Sequence, residues 1–416
     1  MKRKIGLDEA RSIILENIPQ LPAEDVPLLD LQGRVAAEDL SALVDSPSID
    51  ASLKDGYAVH SDDLNNAGEN SPAALTLMRF QAAGDPAGES LMKGTTVRVT
   101  TGAPLPPGAQ AVLAGEFARE ESGLVHCWRD ASPGRNVLPR GTDVKAGEIV
   151  VKQGEPLHPA LIGLMAAAGL DHAAVYRRPR VAVIGTGDEI VAPGEPLPQG
   201  RLYASNLVES VSWLKSFGMS VQSRVVPDQT GKMEQTMREL IPQVDAFVTS
   251  GGAFGSERDL MIGLLNDMGW EGFFHRVRLG PGKAAGFGLL DGKPFFLLPG
   301  GPPSYEATFL LLALPGLMAM SGHVGPVFQE VTATLQQDVS GQIDWTQCVH
   351  ARLYKANEHA YAVQPLKSAS RLSSMARKNA LILVPEGVEE YRAGQEIPVI
   401  RLVNGLTSPL DGGEKI

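Results

Sequence analysis

Five short turns between residues 181 and 303, most of them rich in glycine, are expected at one edge of a predicted sheet. They are residues 185–189, 227–228, 250–252, 280–283 and 299–302. Glycines let backbone amides approach an anion closely, and helix N-termini add partial positive charge. A single turn of this kind is more often an ordinary tight turn than a site. Five at one edge of a sheet predict that this region binds a negatively charged, phosphate-bearing ligand.

Carboxylates follow the same turns. They are Asp188, Glu189, Asp228, Glu257 and Asp259. Acidic side chains repel phosphates unless a cation lies between them, and Mg²⁺ prefers such hard oxygen ligands. The alternative is helix N-capping or a solvated surface, which is the favoured interpretation for Glu257. For Asp188 and Glu189, directly behind a Gly-Thr-Gly turn, we expect a functional role.

Several other chemistries are not indicated. The turn at Gly185 and Gly187 lacks the third glycine of a dinucleotide-binding fingerprint, and the segment around Lys283 lacks the upstream glycine and the Ser/Thr of a Walker A loop. The eight histidines show no paired metal-ligand spacing, and no Ser/His/Asp or Cys/His set stands out. Proton transfer by histidine is therefore not predicted.

Strands and helices that alternate must position these turns. Strands are predicted at 181–184, 219–226, 246–250 and 293–298, and helices at 205–217, 231–241 and 257–268. This alternation predicts a doubly wound α/β domain with a parallel sheet covered on both faces, and ligands of such sheets bind outside the carboxyl ends of the strands.

The rest of the chain predicts three further domains. Helices are expected at 7–18 and at 159–168, the second with Pro159 at its first position and Gly169 as its cap, and we expect them to pack together. Residues 46–143 are dense in Gly and Pro, as in a small β-rich domain, and short strands after 325 predict an all-β tail. The predicted domains are 1–45 plus 144–178 (helical, discontinuous), 46–143 (inserted, β-rich), 179–324 (α/β) and 325–416 (β-barrel).

Composition limits the partners. The 416 residues are 43% hydrophobic, carry a formal net charge of −11 and include two distant cysteines. This composition is that of a folded globular protein without a disulfide framework. No basic tract predicts nucleic-acid binding, no apolar stretch is long enough to span a bilayer, and no secretory signal follows the basic start. We expect a soluble, cytoplasmic protein without nucleic-acid or membrane partners.

Seven motifs, in register along nearly the whole chain, resemble those of the molybdopterin molybdenumtransferase (MoeA) family, which includes the E domain of gephyrin. They are Asp55-Gly56-Tyr57-Ala58, Thr101-Gly102-Ala103-Pro104, Arg140-Gly141-Thr142-Asp143, Thr186-Gly187-Asp188-Glu189, Gly251-Gly252, Pro281-Gly282-Lys283 and Pro299-Gly300. The segment 373–379 in the tail also fits.

The resemblance implies a four-part chain with a molybdopterin-binding α/β domain, and elongated homodimers whose active sites lie between the α/β domain of one subunit and the inserted domain of the other. It implies molybdenum cofactor biosynthesis. Adenylylated molybdopterin would be bound, its phosphoanhydride cleaved to release AMP, and molybdate, or tungstate, inserted at the dithiolene with Mg²⁺ assisting.

The same resemblance assigns site residues. Asp55, Glu189 and Asp228 would surround the metal and water, and together with Lys283 they are the predicted catalytic residues. The predicted substrate-binding residues are Thr101, Gly102, Asp143, Thr186, Gly187, Asp188, Gly251, Gly252, Asp259, Gly282, Pro299, Gly300, Gly301, Ser304, Arg371 and Ser373. Of these, Arg371 and Ser373 are assigned to molybdate.

This chain departs from the family pattern at five positions. Ala51 stands where an Asn is usual, Lys54 where Met is usual, Ala204 where an Asp is usual, Gly280 where a Lys is usual and Gly301 where an Asn is usual. The changes at Ala51, Gly280 and Gly301 remove donors that an oxyanion would use, and Lys54 would return one positive charge. An alternative is therefore a paralogue that binds or hands on the cofactor, or scaffolds a partner, without catalysis. A generic nucleotide-binding α/β protein ranks last, since it leaves the motifs at Asp55 and Thr101 unexplained.

Overall fold

A computed structural model describes residues 1–251, 260–357, 360–366 and 372–402. The chain divides into two compact units, Asp25–Val175 and the combination of Met1–Glu24 with Tyr176–Ile416. Within the described ranges, no helix has the length and apolar character needed to cross a membrane. The predicted boundaries of four domains stay a prediction.

The chain begins with a strand and an amphipathic helix that belong to the second of these units, and a further strand follows across the boundary between the units at Glu24 and Asp25. The elements are β1 (Lys2–Ile5), α1 (Leu7–Asn17) and β2 (Ala23–Pro27). In α1, Asp8 and Glu9 lie in the first turn, where the helix dipole favours them. Leu7, Ala10 and Ile14 form its buried face at helical spacing.

The unit Asp25–Val175 is built mainly of short strands. Its elements are β3 (Leu40–Ser41), β4 (Ala51–Ser52), β5 (Gly56–Val59), β6 (Ala73–Gln81), β7 (Thr95–Val99), β8 (Ala111–Ala114), β9 (Ala118–Glu121), β10 (Leu124–Cys127), β11 (Val137–Leu138), β12 (Ile149–Val151), α2 (Pro159–Ala167) and β13 (His172–Tyr176). Six of the strands form one sheet in the order β8-β5-β7-β6-β10-β9. The predicted β-rich character of this region is therefore correct.

Helix α2 begins and ends where the sequence predicts. Pro159 occupies its first turn, the ring of His158 accepts a hydrogen bond from Leu161 N, and Gly169 follows with a φ of +86°. The expectation that α1 and α2 share one core is wrong. Met165 of α2 lies in a cluster of its own unit, whereas α1 contributes to the core of the other unit.

The α/β region follows. Its elements are β14 (Arg180–Thr186), β15 (Ile190–Val191), β16 (Leu202–Tyr203), α3 (Ser205–Ser216), β17 (Ser220–Val226), α4 (Thr230–Leu240), β18 (Ala246–Ser250), α5 (Leu260–Asp267), β19 (Glu271–Val277), β20 (Leu279–Gly280), β21 (Gly286–Leu290), β22 (Lys293–Leu298), α6 (Pro302–Thr308), a π-helical stretch (Phe309–Ala313) and α7 (Leu314–Met320). The seven-stranded sheet has the order β1-β19-β21-β22-β18-β14-β17.

This sheet is mixed and not purely parallel as expected. Strands β22, β18, β14 and β17 are parallel neighbours, but β21 runs antiparallel to both β19 and β22. The four parallel strands carry the predicted turns at their carboxyl ends. Two buried clusters, one containing Val183 and Phe296 and the other Ile184 and Phe295, cover the two faces, so the doubly wound arrangement is confirmed.

The π-helical stretch has a local cause. Pro315 has no N–H to give to the carbonyl of Leu311, four residues earlier, and the regular hydrogen-bond pattern is interrupted there. Arg11 of α1 compensates, because its Nε donates to the Leu311 carbonyl oxygen at 3.1 Å. This hydrogen bond ties the N-terminal helix to the π-helical stretch.

The C-terminal region closes into a barrel. Its elements are β23 (Gln329–Leu335), β24 (Val339–Ser340), β25 (Thr346–Lys355), β26 (Tyr361–Pro365), α8 (Leu372–Met375), β27 (Ala380–Val384), β28 (Glu390–Tyr391) and β29 (Glu396–Arg401). The order β25-β26-β23-β29-β27 closes through pairing of β27 with β25. Leu353, Val363 and Ile382 fill the interior. The predicted C-terminal β-barrel is confirmed.

Candidate active site

The turn after β14 folds back over itself. Thr186 is the buried last residue of the strand, and Gly187 follows with a φ of +148°. That backbone conformation favours glycine, and the Glu189 carboxylate lies over this position, 2.5 Å from where a Cβ of residue 187 would stand. The Gly187 N–H donates to the Val226 carbonyl at 3.3 Å, which brings the ends of β14 and β17 together.

Three carboxylates meet at these two strand ends. The Asp188 Oδ1 accepts a hydrogen bond from the backbone N–H of Asp228 at 3.2 Å. The pKa of Asp228 is raised, because its partial removal from water and the charges of Glu189 and Asp188 disfavour the anion. The predicted group of Asp188, Glu189 and Asp228 is therefore close enough to interact electrostatically.

The turns after β18 and β22 stand beside that of β14. Gly251 has a φ of +100°, and a Cβ there would lie 2.5 Å from the Thr186 carbonyl oxygen, so glycine is required on both counts. Gly300 approaches Gly251, since a Cβ on Gly300 would be 3.5 Å from the Gly251 Cα. Pro299, which precedes Gly300, is buried, whereas Gly301 is exposed as the N-cap of α6.

A buried asparagine, Asn206, which sequence reasoning missed, ties the turns together. Its Nδ2 donates to the Ser250 Oγ at 3.0 Å and to the Gly300 carbonyl at 2.8 Å. Among the described residues its Oδ1 has no partner. The available signal was the Ser205-Asn206 pair at the start of α3, where side chains point toward a sheet edge. A cavity of about 110 Å³ lies here, lined among others by Thr186, Glu189, Asn206, Ser250 and Gly300.

Gly282 lies against α6. It has a φ of +131°, and a Cβ there would stand 2.7 Å from the Thr308 Cγ2, while the Thr308 hydroxyl donates to the carbonyl of the half-buried Ser304. Lys283, exposed, follows Gly282 directly. At Gly280 a Cβ would be 2.7 Å from the Gln347 Oε1, so the Gln347 amide occupies the space that a side chain at position 280 would enter.

The second predicted group lies in the unit Asp25–Val175. Asp55 Oδ1 accepts two hydrogen bonds from Thr101, from its N–H at 2.6 Å and from its hydroxyl at 2.9 Å. These donors hold the pKa of Asp55 below its usual range. Gly102, with a φ of +81°, donates to the Ser52 carbonyl at 2.7 Å. Asp55, Thr101 and Gly102 are thus brought together as predicted.

The other predicted residues of this unit are placed differently. The Asp143 side chain is exposed, and its backbone N–H donates to the Ser46 carbonyl at 2.9 Å. No contact of Asp143 with Asp55 is found in the described ranges. Ala51 is buried and pairs with Leu138, whereas Lys54 is exposed.

The remaining predicted residues lie in the C-terminal tail, outside the described ranges, or among the carboxylates that could hold a cation. Ser373 is exposed on α8, whereas Gly252, Asp259 and Arg371, together with Glu257, lie outside the described residues. Across the described ranges, no three His, Cys, Asp or Glu side chains are grouped with metal-ligand spacing. Mg²⁺ is commonly held by one or two carboxylates plus substrate phosphates, and Glu189 with Asp228 fits that chemistry.

These features define a class: a multidomain α/β protein with glycine turns at the carboxyl ends of its parallel strands, beside an acidic group. Comparison with known proteins agrees. Residues 5–169 match the family model of the MoeA N-terminal region (domain I and II), residues 182–319 that of a probable molybdopterin binding domain, and residues 332–402 that of the MoeA C-terminal region (domain IV).

Relatives match over nearly their full length. The chain is 30% identical to the molybdopterin molybdenumtransferase of Haemophilus influenzae, over 95% of this chain and 98% of the relative. It is 27% identical to a putative molybdopterin biosynthesis protein of Methanocaldococcus jannaschii, over 97% and 99%. The crystal structure of a molybdopterin biosynthesis MoeA protein from Pyrococcus horikosii superposes with a TM-score of 0.83 at 30% identity, over 97% and 100%. The chain therefore belongs to the MoeA family of molybdopterin molybdenumtransferases, which acts in molybdenum cofactor biosynthesis.

Proposed function

We propose that this protein inserts molybdate into adenylylated molybdopterin and releases AMP, with Mg²⁺ assisting. One observation carries the proposal: the glycine turns after β14, β18 and β22 and the carboxylates of Asp188, Glu189 and Asp228 share one edge of the sheet. The carboxylates would repel a phosphate bound at these turns. A cation between the two would remove that repulsion.

Cleavage of a phosphoanhydride requires positioning and charge neutralisation more than covalent catalysis. The amide of Gly300 would bind phosphate or oxyanion oxygens, with the N-terminus of α6 adding partial positive charge, and Gly187 and Gly251 would let the ligand approach the turns closely. Lys283 would neutralise phosphate charge. Glu189 and Asp228 would hold Mg²⁺, which when bound supplies charge stabilisation on the transferring group.

Asp55 would orient the water or the metal shell from the other side of the site. Thr101 occupies only its Oδ1, and the two hydrogen bonds keep the carboxylate ionised, so its Oδ2 is left to act. As the family resemblance implies, we place Asp55 of one subunit at the α/β edge of the other in a homodimer.

AMP release tests the reaction. Protein incubated with pterin adenylate, Mg²⁺ and molybdate should release AMP, and Asp55→Ala should lower the rate at least about 100-fold, as expected for loss of a group acting on the reacting atoms. Asp30→Ala, an exposed aspartate of the same unit, is the matched control. An inert wild-type dimer would refute the reaction, and replacing molybdate by tungstate would show which oxyanion is used.

Mixed dimers test the shared site. Asp55→Ala and Asp228→Asn subunits are each expected to be inactive, but re-formed mixtures should recover about a quarter of wild-type activity, because half of the dimers are mixed and each mixed dimer has one intact site of two. Sites contained within single subunits predict no recovery.

A second candidate, a paralogue that binds or hands on the pterin without turnover, is favoured by two positions. Ala204 leaves α3 without a side-chain cap. At position 280, the Gln347 amide occupies the space that a longer side chain would fill. This candidate predicts tight binding of pterin adenylate without AMP release. The triple variant Ala204→Asp/Gly280→Lys/Gly301→Asn should then restore turnover, whereas under the first candidate it should change the rate little.

A further inference from the structure

A buried charged cluster joins the α/β region to the C-terminal barrel. Glu306 of α6 is 1% exposed, and His350 of β25 is 2% exposed. The His350 Nε2 lies 3.0 Å from one carboxylate oxygen of Glu306, and the ammonium of Lys378, 9% exposed, contacts the other. Within the described ranges neither Glu306 oxygen has a partner with hydrogen-bond geometry, and the Lys378 ammonium supplies a charge opposite to that of the carboxylate.

A fourth member comes from α3. Glu209 lies beside Glu306, and its pKa is raised because burial and the Glu306 charge disfavour a second anion. Burial alone would raise the pKa of Glu306 too, but His350, Glu209 and Lys378 outweigh it and lower the pKa. These opposite shifts favour the proton on Glu209 and the anion on Glu306, which faces Lys378.

The cluster connects two separate parts of the candidate site. Glu306 lies on α6, whose N-terminus presents Gly300 and Gly301, and Asn206, one turn before Glu209 on α3, donates to the Gly300 carbonyl. On the barrel side, the Lys378 ammonium also donates to the Met375 carbonyl at 3.2 Å, at the end of α8. Ser373 lies on that short helix.

Stability alone does not account for such a cluster. Taking charges out of water costs several kcal/mol per ion, and well-packed apolar residues often stabilise a core as well or better. A directed ion pair differs from an apolar contact in fixing one geometry between the elements that carry its partners. Nothing in the proposed reaction uses Glu306, His350 or Lys378 directly.

We propose that Glu306 is a positioning residue, which by pairing with His350 and Lys378 holds α8 and its Ser373 in register with the Gly300 turn at the start of α6. The inference rests on the proposed function for the statement that both parts touch the substrate. A displacement of about 1 Å between groups that hold reacting atoms costs on the order of 100-fold in rate.

Glu306→Gln tests the proposal, because it keeps the shape and removes the charge. Hydrogen exchange across residues 372–378 should become at least about tenfold faster, and the kcat for AMP release should fall about 10- to 100-fold while the KM for pterin adenylate stays within about twofold. Glu234→Gln, at a half-buried glutamate of α4 paired with Arg238, is the matched control and should leave both unchanged. Wild-type exchange and kcat in Glu306→Gln would overturn the proposal.

Substitutions at Lys378 separate positioning from folding. Lys378→Arg should keep kcat within about threefold, since the charge is retained, whereas Lys378→Met should behave like Glu306→Gln. If Glu306→Gln does not fold, the double variant Glu306→Leu/Lys378→Met is measured instead. An apolar pair restores the stability of the core but does not fix one geometry between α6 and the barrel. A folded double variant with wild-type kcat would refute the proposal. If the wild type releases no AMP, the proposed function fails, and the exchange measurements still decide the role of Glu306.

Discussion

Two aspartates that we propose for the reaction, Asp55 of the unit Asp25–Val175 and Asp228 of the α/β region, lie in different electrostatic surroundings. Asp55 accepts two hydrogen bonds from Thr101, and its pKa is lowered. Asp228 is surrounded by the carboxylates of Asp188 and Glu189, and its pKa is raised. The first is an anion that the protein itself stabilises. The second belongs to a group of carboxylates that repel one another, and a bound cation would relieve that repulsion.

The largest effect on stability is expected at Gly56, which directly follows Asp55. A Cβ at Gly56 would lie 2.0 Å from the Leu113 carbonyl oxygen, which is backbone and cannot move aside without disturbing the β5–β8 pairing. We expect Gly56→Ala to lower the free energy of unfolding of this unit by about 3 kcal/mol or more. Urea unfolding measures it.

Gly68→Ala is the control, because the same unit has nothing within 4 Å of a Cβ at Gly68. It should change the free energy of unfolding by less than about 1 kcal/mol. If the two variants are equally stable, the close approach at Gly56 does not hold Asp55 in place.

The next prediction concerns the acidic side. If Asp228 and Glu189 hold Mg²⁺, a Mg²⁺ concentration ten times the Kd should stabilise the protein by about 1.4 kcal/mol. Asp228→Asn should remove most of that stabilisation in thermal melts with and without Mg²⁺. Asp267→Asn, an exposed aspartate of α5, should retain it. Equal stabilisation of both variants would assign the cation elsewhere.

How far the sequence predicts this site depends on how local each signal is. Thr186, Asp188 and Asp228 were predicted because each lies at the end of a strand that hydrophobic residues mark clearly, or within two residues of it. Asn206 was missed because its partners Ser250 and Gly300 are 44 and 94 residues away and only the folded sheet brings them near. The Glu306 cluster was missed for the same reason.

The same distinction holds for the fold. The four parallel strands were predicted from their apolar runs and following turns. Strand β1 was missed because it is short and polar and pairs with β19, some 270 residues later. Strand β21, which makes the sheet mixed, contains two glycines that weaken any strand signal, and Gly288 is required by the Trp270 ring, which a Cβ would meet at 2.5 Å.

A smaller effect is expected at the start of α3. Ala204 is the N-cap and gives no side-chain hydrogen bond to the helix, although it lines the cavity at this edge. We expect Ala204→Asp to stabilise α3 by about 1 kcal/mol through capping. Repulsion between the new carboxylate and those nearby should reduce this gain. Adding Mg²⁺ should enlarge the gain, since it neutralises that repulsion. Thermal melts measure the gain without and with Mg²⁺. An equal gain in both would show that a carboxylate at position 204 does not interact electrostatically with the acidic group.

The smallest effects test the comparison most directly, through their sign. The lowered pKa of Asp55 means that its ionised form favours the folded state at neutral pH, and this contribution is lost as the pH falls below about 3.9, the ordinary value for an aspartate. The raised pKa of Asp228 means that its ionised form disfavours the folded state, and protonation relieves this as the pH falls toward the same value. Without Mg²⁺ at pH 7, Asp55→Asn should therefore melt below the wild type and Asp228→Asn above it. On acidification the Asp228→Asn difference should shrink first, at the higher pH. Differences of the same sign would show that the two carboxylates do not have opposite surroundings.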